Sequence, residues 1–221
     1  DDDIDIAMKR CDYIRFLKAA ALEFPPEYCI LNIYTTEEWL ESFTRITNGH
    51  SIDISPRRLQ TFHGCPFVVG IDIFPLDHIP DNEEEAGCQS ELLTMIHDTE
   101  TLLNTREAYS ANGMQPLPEH EASLEESLTA LESLCQTTID RHKNIRNQLE
   151  RLYDKISMLY CKEDCKYLTM FPFYQTNSDY LLKSEWLSEY TFMPFENILI
   201  AVPNGYDEIL RAFYGDYMVP V

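Results

Sequence analysis

Residues 1–8 read DDDIDIAM, four carboxylates within five positions at the start of an apolar segment, and the reading of this stretch decides the fold. If residues 3–8 form a strand, alternation puts Asp1, Asp3 and Asp5 on one face and Asp2, Ile4 and Ile6 on the other. Ionised neighbours in one row repel and raise one another's pKa unless a cation neutralises them or water screens them. Hard divalent cations, Mg²⁺ or Mn²⁺, take oxygen ligands and usually keep substrate phosphates in their shell, so an Asp-x-Asp pair at a strand end suggests phosphoryl chemistry. Composition alone leaves a second reading open, a solvated acidic chain end.

Working outward, the next informative stretch is Phe67 to Phe74, FVVGIDIF, an almost continuous apolar run that reads as a buried strand ended by Pro75. Asp72 interrupts it. A carboxylate is costly to bury unless it is paired, metal-bound or held by backbone donors. With Asp3 and Asp5 it makes a three-carboxylate set on two strands. Asp77, after Pro75, reads as a turn cap or as an orienting group. Of the basic residues near these blocks, Arg45 falls in the predicted strand Phe43 to Thr47. It reads equally as a partner for an anionic donor and as half of a structural salt bridge. Arg57 and Arg58, after Pro56, read as solvated loop residues.

The whole chain has 221 residues, enough for one large domain or two small ones, and its 44% hydrophobic and 12% aromatic content is that of a folded protein. One domain with a helical insertion is expected: a catalytic core over 1–80, a helical hairpin over 81–165, and a C-terminal part over 166–221 that completes the core. No apolar run approaches the ~20 residues of a membrane span. A net charge of −21 repels polyanions, which argues against nucleic acid and anionic lipid surfaces as general partners. Seven irregularly spaced cysteines read as reduced intracellular thiols. Starting at Asp1 without Met, the chain reads as lacking its true N-terminus.

Local patterns place a helix over 11–23 stopped by Phe24-Pro25-Pro26, strands over 28–34, 43–47 and 51–54, and a hairpin turn at Asn48-Gly49 between the last two. From Asp81 to about Cys161 the pattern is helical, with leucines and isoleucines at helical spacing between 124 and 159, and the break at Asn112-Gly113 and Pro116 to Pro118 divides this region into two helical pieces. Short strands are expected over 190–193 and 198–202, then a turn at Pro203-Asn204-Gly205 and a helix over 206–214 ended by Gly215. His63-Gly64-Cys65 and Cys161-x₃-Cys165 lack the paired CxxC spacing of structural zinc. No Gly-x-Ser-x-Gly, GxGxxG or Walker loop occurs.

Three blocks in this order, DDDIDIAM, VGIDIFPLDHIPDN and PFE…VPNGYDEIL…FYGDYM, resemble the LicD family, phosphocholine transferases whose relatives include fukutin and fukutin-related protein. The resemblance implies an α+β, nucleotidyltransferase-like fold, a small mixed β-sheet flanked by helices. It implies that Asp3 and Asp5 form the metal-binding pair, that Asp72 is the third acid and that Asp1 assists. It also implies the chemistry: Mg²⁺- or Mn²⁺-dependent transfer of a phospho-alcohol from a donor such as CDP-choline to a hydroxyl of a cell-surface glycan or its lipid-linked precursor. That work belongs in the cytoplasm, at the inner face of the membrane. Relatives carry a Gly-rich loop before the acidic block, which this sequence does not include. Where they tend to show Lys-Ile-Arg-Asp, it has Arg45-Ile46-Thr47-Asn48, keeping one of two basic residues and pointing to Arg45 at the donor. Two rival readings are a nucleotidyltransferase using a nucleoside triphosphate and a non-catalytic metal-binding or scaffold protein.

Overall fold

Asp5 opens the described part of the chain: a computed structural model describes residues 5–161 and 165–219, so Asp1 and Asp3 lie outside the described residues. The architecture is α+β, antiparallel strands flanked by helices. Two compact units divide the chain. One takes the residues up to Pro75 with Leu92–Ile156, the other Leu76–Glu91 with the residues from Ser157 onward. These divisions run along other lines than 1–80, 81–165 and 166–221, because most of the helical stretch shares a unit with the N-terminal strands.

In the first unit, strand β1 (Asp5–Lys9) passes directly into helix α1 (Arg10–Glu23). The helix stops at Phe24, where the following prolines disfavour further helical backbone. Strand β2 (Cys29–Leu31) is shorter than the aromatic-rich run predicted, because Asn32 turns the chain. Its Oδ1 accepts from the backbone N–H groups of Tyr34 and Thr35 at 2.9 and 3.0 Å. Strand β3 (Thr44–Thr47) lies antiparallel between β2 and β4 (Gly70–Ile79), with Arg45 opposite Asp72 and Thr47 opposite Gly70. β1 also pairs with β4.

Five local expectations are corrected. Residues 51–54 form no strand: Asp53 accepts from the Ser55 N–H, and Ser55 Oγ accepts from the Arg58 N–H to start helix α2 (Pro56–Thr61). Asn48 bonds instead across to Val69, through both its N–H and its side-chain oxygen. Arg58 is buried rather than solvated, donating to the carbonyls of Asn48 and Phe67 and lying 3.9 Å from the Phe62 ring centroid. Pro75 does not end its strand. It falls between the β3 ladder, which reaches Ile73, and a second ladder that begins at Asp77, so neither misses its N–H. Asp77 is therefore a buried strand residue opposite Thr169 and caps no turn.

The helical region has three helices, α3 (Glu83–Ala111), α4 (Pro118–Cys135) and α5 (Ile145–Ser157). The second break, absent from the sequence reading, comes at Gln136, which takes a left-handed conformation at φ 49°. Leu124, Leu128 and Leu131 on α4 repeat at i, i+4 and i+7, the spacing of one helix face, and are buried with Leu149, Leu152 and Ile156 of α5 and Leu93, Ile96 and Leu103 of α3. This is the main apolar core of the unit.

In the second unit, the remainder of β4 pairs with β5 (Tyr167–Thr169), which pairs with β6 (Leu182–Lys183). Leu76, Leu168, Leu182 and Leu187 form its core. A hairpin of β7 (Tyr190–Phe195) and β8 (Ile198–Pro203) follows, then a helix (Tyr206–Tyr214) ended by Gly215 at φ 65°. Gly205 is obligatory before that helix, since a Cβ there would stand 2.6 Å from Trp186 Cβ. Among the described residues, no helix is long and apolar enough to cross a membrane.

Candidate functional site

Strand alternation divides the first-unit sheet into two chemically different faces. Ile6, Met8, Ile46, Ile71 and Ile73 point to one side, where with Phe16, Phe24, Pro25 and Tyr28 they line an apolar cavity of about 510 Å³. The residues between them, Asp5, Arg45, Thr47, Gly70 and Asp72, line a cleft of about 310 Å³ with Leu31, Trp39 and Val68. Three of the residues singled out in the sequence, Asp5, Arg45 and Asp72, thus share one cleft. Period-two alternation on three paired strands is what brings them together.

Within the cleft, Arg45 and Asp72 form a bidentate pair. Arg45 Nε and Nη2 donate to Oδ1 and Oδ2 of Asp72, both at 2.5 Å. The two residues are cross-strand partners, so the backbone ladder itself brings the side chains face to face. Asp72 is 13% exposed and Arg45 44% exposed, so the arginine is the outer member. Its stem crosses Gly70: a Cβ there would lie 3.0 Å from Arg45 Cγ and 3.1 Å from Cδ. A glycine inside a strand pattern marks such a close approach. Of the residues that the sequence reading passed over, Gly70 carried that signal.

Trp39 was also passed over, and no spacing rule marks it. Its indole N–H donates to the Glu41 and Phe43 carbonyls at 3.1 and 3.0 Å, which fixes the ring. The ring meets Phe43 edge-on at 5.6 Å between centroids. The Arg45 guanidinium lies 5.7 and 5.8 Å from the Trp39 and Phe43 centroids, so two aromatic rings flank the ion pair. Asp5 stands at the exposed start of β1.

Whether this donor set suits a divalent cation follows from lone-pair arithmetic. Asp5 and Asp72 supply hard carboxylate oxygens on two directly paired strands. An ionised carboxylate has about four lone-pair positions, so Asp72 retains acceptor capacity after receiving two Arg45 donors. The residues fit. Among the described residues, no group of three or more His, Cys, Asp or Glu side chains is assembled for a metal, and Asp1 and Asp3, the remaining members of the expected set, lie outside them.

Comparison of the chain with models of protein families, with curated proteins and with solved structures finds no match.

Proposed function

We propose that the chain is a metal-dependent phosphotransferase of the LicD type, moving a phospho-alcohol from a CDP-linked donor to a hydroxyl of a glycan or its lipid-linked precursor, at the cytoplasmic face of a membrane. The observation that carries this reading is the meeting of Asp5, Arg45 and Asp72 in one cleft. Those are the residues that the resemblance assigns to metal and donor, and they come from three separate stretches of sequence.

In this reading Asp5 and Asp72, with Asp3, hold Mg²⁺ or Mn²⁺, which when bound offsets charge on the diphosphate. Arg45 presents a planar fork of N–H donors to the donor's phosphate oxygens, a match that lysine lacks. Trp39 lines the cleft, and its ring and that of Phe43 flank the guanidinium without closing it off from solvent. A carboxylate oxygen of Asp72 accepts the proton of the attacking hydroxyl.

The test is release of CMP from CDP-choline and other CDP-alcohols by the wild type and by Asp3→Asn, Asp5→Asn and Asp72→Asn. Each substitution should lower the rate about a hundredfold or more, since each removes a charge on which the transition state depends. Full activity in any one variant removes that residue from the mechanism. Preference for a nucleoside triphosphate over every CDP-alcohol would replace this reading with a nucleotidyltransferase. One observation favours a scaffold instead: Asp72 already has its charge compensated by Arg45. A wild type without metal-dependent nucleotide binding would decide for that alternative.

A further inference from the structure

We propose that Arg45 and Asp72 are an exchange pair: Arg45 holds Asp72 in the ligand-free protein, gives it up to a divalent cation, and turns to the donor's diphosphate. The inference rests on the reading of the cleft above and adds how its two ligands depend on one another.

The first argument is the asymmetry of the pair. Asp72 is largely buried and sits on β4, with which both β1 and β3 pair, whereas the Arg45 side chain is 44% exposed on a long unbranched stem. One partner is fixed and the other can turn. The glycine beneath the stem leaves it lying on bare backbone, with no side chain at position 70 to interlock with it.

The second argument is charge. Among the described residues lining the cleft, the ionised groups are Asp5, Asp72 and Arg45. A cation arriving alone must compete with the guanidinium for Asp72. A diphosphate arriving alone must draw Arg45 away from Asp72 and then face the carboxylate that Arg45 has left. When both arrive, the partners exchange, and no charge is left alone: carboxylates meet the cation, guanidinium meets the phosphate. Arginine suits this exchange because its fork pairs bidentately with carboxylate and phosphate alike. Each ligand then strengthens the other's binding by the same factor.

Titration of MnCl₂ without nucleotide, and of CDP in the presence of EDTA, tests this in the wild type, Arg45→Gln, Asp72→Asn and the double variant. Arg45→Gln should bind Mn²⁺ about five- to tenfold more tightly than the wild type, because Asp72 is relieved of its competitor. Asp72→Asn should bind CDP more tightly without metal, because Arg45 is relieved of its own. The gain in Mn²⁺ affinity should vanish in the double variant, which separates the cleft from diffuse binding to an acidic protein. A purely structural pair predicts the opposite, two variants of lower melting temperature and no gain in either affinity, and that result would overturn the exchange. Should Arg45→Gln fail to fold, Arg45→Lys serves: it keeps the charge but loses the fork, and its Mn²⁺ affinity should still exceed that of the wild type. A wild type that binds Mn²⁺ and CDP together while no variant gains affinity defeats the exchange alone. A wild type that binds neither defeats the reading beneath it.

Discussion

Arg10 and Asp154 meet at 2.7 Å with side chains 3% and 10% exposed, whereas Arg45 and Asp72 meet at 2.5 Å with the arginine 44% exposed. The chemistry of the two contacts is the same, and their surroundings are opposite. Arg10 is the first residue of α1 and Asp154 lies in the last turn of α5, so the first pair fastens the end of β1 to the helical core. Tyr34 Oη donates to the second Asp154 oxygen at 2.6 Å, so both carboxylate oxygens are engaged. Burial and the neighbouring Asp154 charge push the Tyr34 phenol well above its usual range, so it stays a donor. The Arg45 pair has a cleft where the Arg10 pair has a tyrosine. A closed pair serves as a fastening; an open one remains available to ligands.

The largest effect should come from breaking the closed pair. Removing one partner of a buried ion pair strands the other charge, at a cost of about 3–5 kcal/mol. Asp154→Ala should therefore lower the unfolding free energy by that amount in urea denaturation. Asp72→Ala leaves a partly exposed guanidinium that water can solvate, and should cost no more than about 1 kcal/mol. Equal costs for the two substitutions would dissolve the contrast between a fastening and an exchangeable contact.

A third polar contact of the first unit joins like charges. Glu100 of α3 and Glu150 of α5 are both largely removed from water, and each raises the cost of charging the other. Burial first, and then the neighbouring Glu100 charge, push the Glu150 carboxyl up to about 8, with Glu41 adding to the rise. Arg146 opposes it, but its guanidinium is already donating to Asn104 and Glu107. Because Glu150 binds its proton more tightly folded than unfolded, stability is highest below the ordinary carboxylate range. It declines as pH rises toward about 8, then levels off. Glu150→Gln removes the titration. Its stability relative to the wild type should rise between pH 5 and pH 8, as followed by thermal melts across that range; a difference independent of pH would mean that Glu150 holds its proton no more tightly in the folded state than in the unfolded one.

What was legible in the sequence follows from what a local pattern can encode. Alternation in DDDIDIAM and in VVGIDIF encodes which side chains share a face, and the structure accordingly brings Asp5 and Asp72 to one cleft. The end of the last helix at Gly215 was readable too, since its φ of 65° is a conformation that favours glycine. Ladder assignment was not readable. Asn48-Gly49 has the composition of a hairpin turn, yet Asn48 spends its hydrogen bonds on Val69, a partner 21 residues away. Pro75 looked like a strand end because nothing local says that one ladder stops and another starts around it. Arg58 looked solvated because its carbonyl acceptors come from two other segments. Trp39 enters the cleft through a loop whose course depends on its own bonds to Glu41 and Phe43.

The smallest effect on stability should be the most informative about the open pair. A methyl group at position 70 would fall 3.0 Å from Arg45 Cγ and 3.2 Å from Thr47 Cγ2, closer than ordinary van der Waals contact. The arginine stem is the softer neighbour, because it is partly exposed and unbranched, so it should yield before the ladder does. Gly70→Ala is thus expected to shift stability by less than about 1 kcal/mol, the entropy gained by losing a glycine offsetting part of the crowding. Its consequence should appear at Asp72 instead. Lifting the stem lengthens the path of the guanidinium to a carboxylate held in place by β4, and a bidentate contact tolerates little displacement. Gly70→Ala should therefore raise Mn²⁺ affinity in the same direction as Arg45→Gln, but by less, although both acidic residues and the arginine are intact. Unchanged Mn²⁺ affinity, with the fold preserved in both proteins, would show that Arg45 reaches Asp72 by another route and that Gly70 is not the seat of the pair.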